Sequence, residues 1–139
     1  MDLTESIRIA KSACVTEAGK EKASSKAKAS AKKLLSAIKA QIPKNAYVPY
    51  LKTKDFVVGK SKEVDTSAGF SGKDGADFEK LLKSQSSIAY VGTEEIGGAF
   101  ISNDGSIYYV LADYGFPSCE KYKASELNKL AKQVSSEIA

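Results

Sequence analysis

The sequence predicts an α/β chain of the α+β kind, a small antiparallel sheet around a central hairpin (about residues 96–113) covered by helices. Three observations predict it. First, residues 96–114 read IGGAFISNDGSIYYVLADY, in which apolar runs at 96–102 and 106–112 flank Asn103-Asp104-Gly105. A three-residue loop of that composition suits a type I turn closed by a left-handed glycine, which reaches positive φ without a Cβ clash. Second, the later arm is apolar on both faces, with Ile107, Tyr109 and Leu111 on one and Tyr108, Val110 and Ala112 on the other. A strand that can expose neither face belongs in the middle of a sheet with material packed on both sides. Third, apolar residues recur at helical spacing on either side of the hairpin.

At 139 residues the chain fits one domain and can bury a sizeable core. It divides into a basic helical region (1–42), a connection and loop (43–75) and a helix-hairpin-helix core (76–139). A content of 42% hydrophobic and 27% charged residues excludes the disordered and membrane classes. No apolar run approaches the roughly 20 residues that span a bilayer, so no transmembrane segment is expected. The opening MDLTESIRIAKSACV lacks a basic start followed by a solid apolar stretch, so no signal peptide is read. An exported or imported protein would therefore be seen here in its mature form.

Leu3, Ile7, Ala10, Cys14 and Ala18 share one face of a first helix capped by Asp2 or Thr4. Gly19 is either a kink in one long helix or a break between two. From Lys20 to Gln41 the composition is Ala, Lys and Ser, with Ala27, Ala31, Leu34, Leu35, Ile38 and Ile42 along a stripe and Pro43 ending it. Residues 47–51 make an extended aromatic connection, and 55–58 a short strand. Residues 61–75 read as a surface loop anchored by Phe70. Asp74 is placed as the cap of a helix to Ser84 that turns Phe78, Leu81 and Leu82 inward, and 88–91 as a strand or the entry into the hairpin. Gly97-Gly98 in a strand predicts a bulge or a close backbone approach. After the hairpin the chain is expected to turn away at 114–118, and Ser125 to cap a last helix carrying Leu127, Leu130, Ala131, Val134 and Ile138.

The net charge of +4 is unevenly placed: residues 20–39 hold seven lysines against Glu21. Their reading is a solvated helix face or a basic surface for an acidic protein, a membrane headgroup layer or nucleic acid. Lys26, Lys28, Lys32 and Lys33, with Tyr47 and Tyr50, are the candidate partner-binding residues. Arg8 is the only arginine, which weighs against nucleic acid, since bidentate base and phosphate contacts use the planar guanidinium. Cys14 and Cys119 either form one disulfide or are separate thiols.

The chain contains no histidine. That excludes Ser-His and Cys-His nucleophiles and His-ligated metal sites, and two distant cysteines cannot cage zinc. No phosphate-binding or dinucleotide fingerprint occurs, and no cofactor or metal is expected. Glu94-Glu95 would point to opposite faces of a strand. Asp104 reads as a turn-former, and Asp113, at the strand end, is the one acid to watch. The hairpin aromatics alternate with Val, Leu and Ile, a core pattern rather than a base-stacking platform.

ADFEKLLKSQSS at 76–87, followed by TEEIGGAF at 93–100 and DGSIYYV at 104–110, resembles the C-terminal half of the CAP superfamily, the cysteine-rich secretory, antigen 5 and pathogenesis-related type proteins. Ala68-Gly69-Phe70 echoes the Ala-Gly-Tyr of bacterial members, so the likeness covers about a third of the chain. It implies an α/β/α sandwich and a small-molecule or lipid-binding role, with a pocket beside the hairpin at Gly97, Tyr108, Asp113 and Tyr114. Ser87 stands where the family has histidine, and no Gly-Glu-Asn-Ile segment precedes the helix. The family's histidine-carboxylate cleft therefore carries over to no residue here. The functional expectation is a non-catalytic protein-interaction or accessory subunit docking through the basic helix; the alternatives are a CAP-like ligand-binding module and a nucleic-acid-binding protein.

Overall fold

A computed structural model describes residues 20–44, 51–58, 72–93, 97–113 and 116–138. Within them the order is α1 (Ser25–Gln41), β1 (Lys52–Val57), α2 (Gly72–Ser84), β2 (Ser87–Thr93), β3 (Gly97–Ile101), β4 (Ile107–Asp113), β5 (Phe116–Tyr122), a 3-10 turn (Ala124–Glu126) and α3 (Leu127–Ile138). The strands form an open antiparallel meander in the order β1-β2-β3-β4-β5. The α+β class expected from the sequence is the one observed.

The hairpin forms the centre of the sheet. Ser102 and Ser106 close its loop through a 2.9 Å backbone bond, and Gly105 takes φ +96° where the sequence called for a left-handed residue. Ile107, Tyr109 and Leu111 face one core, and Tyr108 and Val110 face the other. Apart from Tyr109 and Tyr122 the first core is aliphatic: Ala27, Ala31, Leu34 and Ile38 of α1 and Leu130, Ala131 and Val134 of α3 pack on Ala89, Val91, Ala99 and Ile101. The second is aromatic and lies under α2. Phe100 meets Phe56 edge-on at 4.9 Å between centroids and Phe78 at 5.1 Å, an arrangement that ring quadrupoles favour. Gly98 lies beneath the Tyr90 ring, and a Cβ there would overlap it. Gly97, at φ +117°, comes up against the Val110 carbonyl, so the glycine pair marks the close approach its sequence implied.

Several expectations are corrected. The chain does not turn away after the hairpin: residues 116–122 return as β5, pairing Leu111 with Ser118 and Ile107 with Tyr122. The strand expected at 55–58 begins at Lys52. Helix α2 starts at Gly72, which places Asp74 in its first turn, where the carboxylate accepts the Lys121 N–H at 3.2 Å instead of capping. Ser125 lies inside the 3-10 turn, whose cap is Lys123 with its N–H bonded to Glu126. Helix α1 does not begin near Lys20; Ser24 caps it, accepting the Ala27 N–H at 3.1 Å. The helix expected before Gly19, the aromatic connection at 47–50, Phe70 and Glu94-Glu95 lie outside the described residues. Among the described residues no helix is long and apolar enough to cross a membrane.

Candidate functional site

Among the described residues, two concave features gather charged side chains. The first is a groove of about 200 Å³ between α1 and β1, lined by Lys28, Ala31, Lys32, Thr53, Lys54, Asp55 and Ala89. Its basic wall follows from helix geometry. At about 100° per residue, Lys28, Lys32 and Lys39 follow one flank of the buried Ala27-Ala31-Leu34-Ile38 stripe, while Lys26 and Lys33 follow the opposite flank. The four lysines expected to act together are thus split into two pairs, and only Lys28 and Lys32 line the groove. The acid in the groove is Asp55, 3.3 Å from Lys28, with both side chains about half exposed. Such a pair is worth little in water and exchanges readily for another partner. The Lys54 ammonium lies 5.6 Å from the centre of the Tyr90 ring on the other face of β1.

The second feature is a cleft of about 600 Å³ between α2, the hairpin loop and β5. Asp77, Lys80, Leu81 and Ser84 line it from a single face of α2, being spaced i, i+3, i+4 and i+7. Tyr108 and Lys121 form the facing wall, and Lys121 bonds Asp77 at 3.3 Å while lying 5.5 Å from the centre of the Tyr108 ring. Interaction with the Tyr108 hydroxyl, reinforced by Asp77, holds the Lys121 ammonium above the ordinary lysine range. Burial pushes Tyr108 upward as well. At the far end the Ser102 hydroxyl, then the Ser106 N–H, hold Asp104 below the usual carboxylate range. Asp104 is the turn-former its position implied.

A polar knot in the wall of this cleft went unread in the sequence. Asn103 Oδ1 accepts the Ser24 N–H at 2.8 Å, and its Nδ2 donates to the Lys22 carbonyl at 2.9 Å. The Asn103 N–H donates to Oε1 of the buried Gln85 at 3.0 Å, and Ser87 Oγ accepts the Ala23 N–H at the same distance. One loop asparagine thereby joins the start of α1, the end of α2 and the hairpin. The only sequence cue was its place in a turn.

Of the expected pocket residues, Tyr108 lines the cleft and Gly97 lies at the opposite end of β3. Asp113 closes β4, but its side chain and Tyr114 lie outside the described residues, as do Tyr47, Tyr50 and Cys14. Cys119 carries a free thiol that donates to the Asp74 carbonyl at 3.7 Å, and burial pushes it up to about 12. At neutral pH it is a thiol, not a nucleophilic thiolate. The upward shifts of Tyr108 and Lys121 likewise favour their protonated forms. Among the described residues no three potential metal ligands converge. Comparison with family models, curated proteins and solved structures finds no match.

Proposed function

We propose that the protein is a non-catalytic interaction subunit that docks an acidic protein partner through the α1–β1 face. The observation that supports this reading is the groove in which Lys28 and Lys32 stand beside β1, with Asp55 as its acid. Attraction of this kind is long-ranged at low salt and screened within about 10 Å at 0.1 M. A short poly-glutamate peptide is the probe. It is expected to bind at low ionic strength, to weaken as salt rises, and to lose about tenfold in affinity in Lys28→Glu/Lys32→Glu. Lys26→Glu/Lys33→Glu, on the other flank, is expected to lose much less. Equal losses in the two variants would reduce the effect to net charge, and no binding at low salt would dispose of the reading. Duplex DNA as a second probe separates out nucleic acid, whose binding would be the tighter of the two if phosphate were the natural target.

A second reading, a small-molecule binding module of the kind the CAP resemblance implies, is favoured by the cleft beside the hairpin with Tyr108 in its wall. Ligand-observed NMR of a polar fragment set tests it. Hits abolished by Leu81→Trp, which fills the cleft, would support it, and hits indifferent to that change would not.

A further inference from the structure

The strand register says what form a partner segment takes on this face. β1 pairs with β2 so that Phe56 faces Ile88, Lys54 faces Tyr90 and Lys52 faces Gly92. The next pair in that series is joined by a backbone bond, Val58 N–H to Ser86 O at 3.3 Å. Bonded pairs alternate with non-bonded ones in an antiparallel ladder, so Phe56, Lys54 and Lys52 spend their backbone groups on β2. The N–H and C=O groups of Thr53, Asp55 and Val57 therefore point out of the sheet. Among the described residues no backbone group bonds them.

The opposite edge is closed. Lys121 in β5 gives its outward N–H to the Asp74 carboxylate of α2. Pro117, four pairs further along on the same edge, has no N–H to offer. The Cys119 thiol between them donates to the Asp74 carbonyl. One edge of the sheet is thus covered by a helix and a proline, while among the described residues the other is flanked by charged side chains and bonded by no backbone group.

That charge selects the occupant. Lysine on an edge strand discourages pairing with a second basic strand, because like charges are brought opposite one another. Lys28 and Lys32 stand on the α1 side of the β1 edge, and Lys52 and Lys54 project to the α2 side. A strand added there alternates its side chains between two lysine-bearing faces. Val57, at 38% exposed the one large hydrophobic side chain classed as exposed among the described residues, sits on the same edge and offers an apolar contact.

We propose that the docking segment of the partner is an extended, acidic stretch of polypeptide that adds to the outer edge of β1 as a sixth strand. This rests on the basic-face reading and goes beyond it by requiring a peptide backbone with free amides. The probe is a labelled peptide of glutamates around a central valine, compared with its counterpart N-methylated throughout, which keeps the charge and loses every backbone donor. The parent is expected to bind at low salt and to slow amide exchange at Thr53, Asp55 and Val57, with N-methylation weakening it at least about tenfold. Thr53→Pro, which removes an outward N–H and no ladder bond, is expected to weaken the parent similarly while circular dichroism stays unchanged. Equal binding of the two peptides would overturn strand addition and leave docking by charge intact. Failure of the parent and of poly-glutamate alike would overturn both. Should Thr53→Pro unfold, the peptide pair and the exchange measurement decide on the unaltered protein.

Discussion

Asn103 holds together three segments that the chain brings from far apart, so its removal should cost more than a turn residue normally does. In Asn103→Ala the Ser24 N–H loses its partner in a part-buried setting, the Lys22 carbonyl loses its donor, and Gln85 Nε2 keeps only the Ser87 carbonyl. Each buried polar group left without a partner costs on the order of 1–3 kcal/mol. Urea denaturation is expected to show a loss in that range for Asn103→Ala. Asn103→Asp should lose comparably, since a carboxylate oxygen would then face the Lys22 carbonyl. A loss no larger than that of an exposed surface change would mean the knot is not formed in solution. At Gly98 the issue is space: in Gly98→Ala the new methyl overlaps the Tyr90 ring, and overpacking of that kind costs roughly 1–3 kcal/mol. Thermal denaturation of Gly98→Ala beside Gly98→Ala/Tyr90→Leu checks it, the second change being expected to recover part of the loss.

Elements differ in how much of them the sequence carries, and the difference follows from burial. The hairpin and the stripe of α1 were legible because both faces of β4, and one face of α1, are committed to core, which fixes the periodicity of their apolar residues. β5 was not, because FPSCEKY on a sheet edge mixes proline, serine and charge with no period of two. A cue was nevertheless present: a strand apolar on both faces requires a neighbour on each side, and β3 supplies one only. The groove was half legible, since composition flagged the lysines but only the exact phase of α1 divides them into two flanks. The start of α1 was missed because Ser24 carries no Glu or Gln three residues later to complete a capping box. Its cap makes a definite prediction: Ser24→Ala should lower stability by about 1 kcal/mol, and Ser24→Gly by only a few tenths. Denaturant midpoints of the two variants decide it, and an equal loss would assign the effect to the Ser24 backbone, not to its hydroxyl.

For the molecule as a whole, the buried protonated groups are expected to set the alkaline limit of stability. Burial pushes Cys119 and Tyr90 up to about 12, and burial also raises Tyr109 and Tyr122, each further raised by a hydrogen-bonded glutamate. A group whose pKa is higher folded than unfolded contributes stability that is complete below the unfolded value and is lost as pH climbs towards the folded one. Unfolded cysteine titrates near about 8.5 and tyrosine near about 10, so the decline should begin with the thiol and steepen when the phenols join. Asp104, held low by Ser102 and Ser106, works in the opposite sense: its contribution is present above the unfolded carboxylate value and fades as pH falls through the folded one. Urea midpoints measured from neutral to strongly alkaline pH are expected to be level at first and then to fall from about pH 8.5. In Cys119→Ala the baseline is lower because a packed side chain is gone, but the onset of the fall moves to about pH 10. An unshifted onset would show that the thiol titrates as it does in the unfolded chain, and the packing of β5 against the first turn of α2 would then not be the one described.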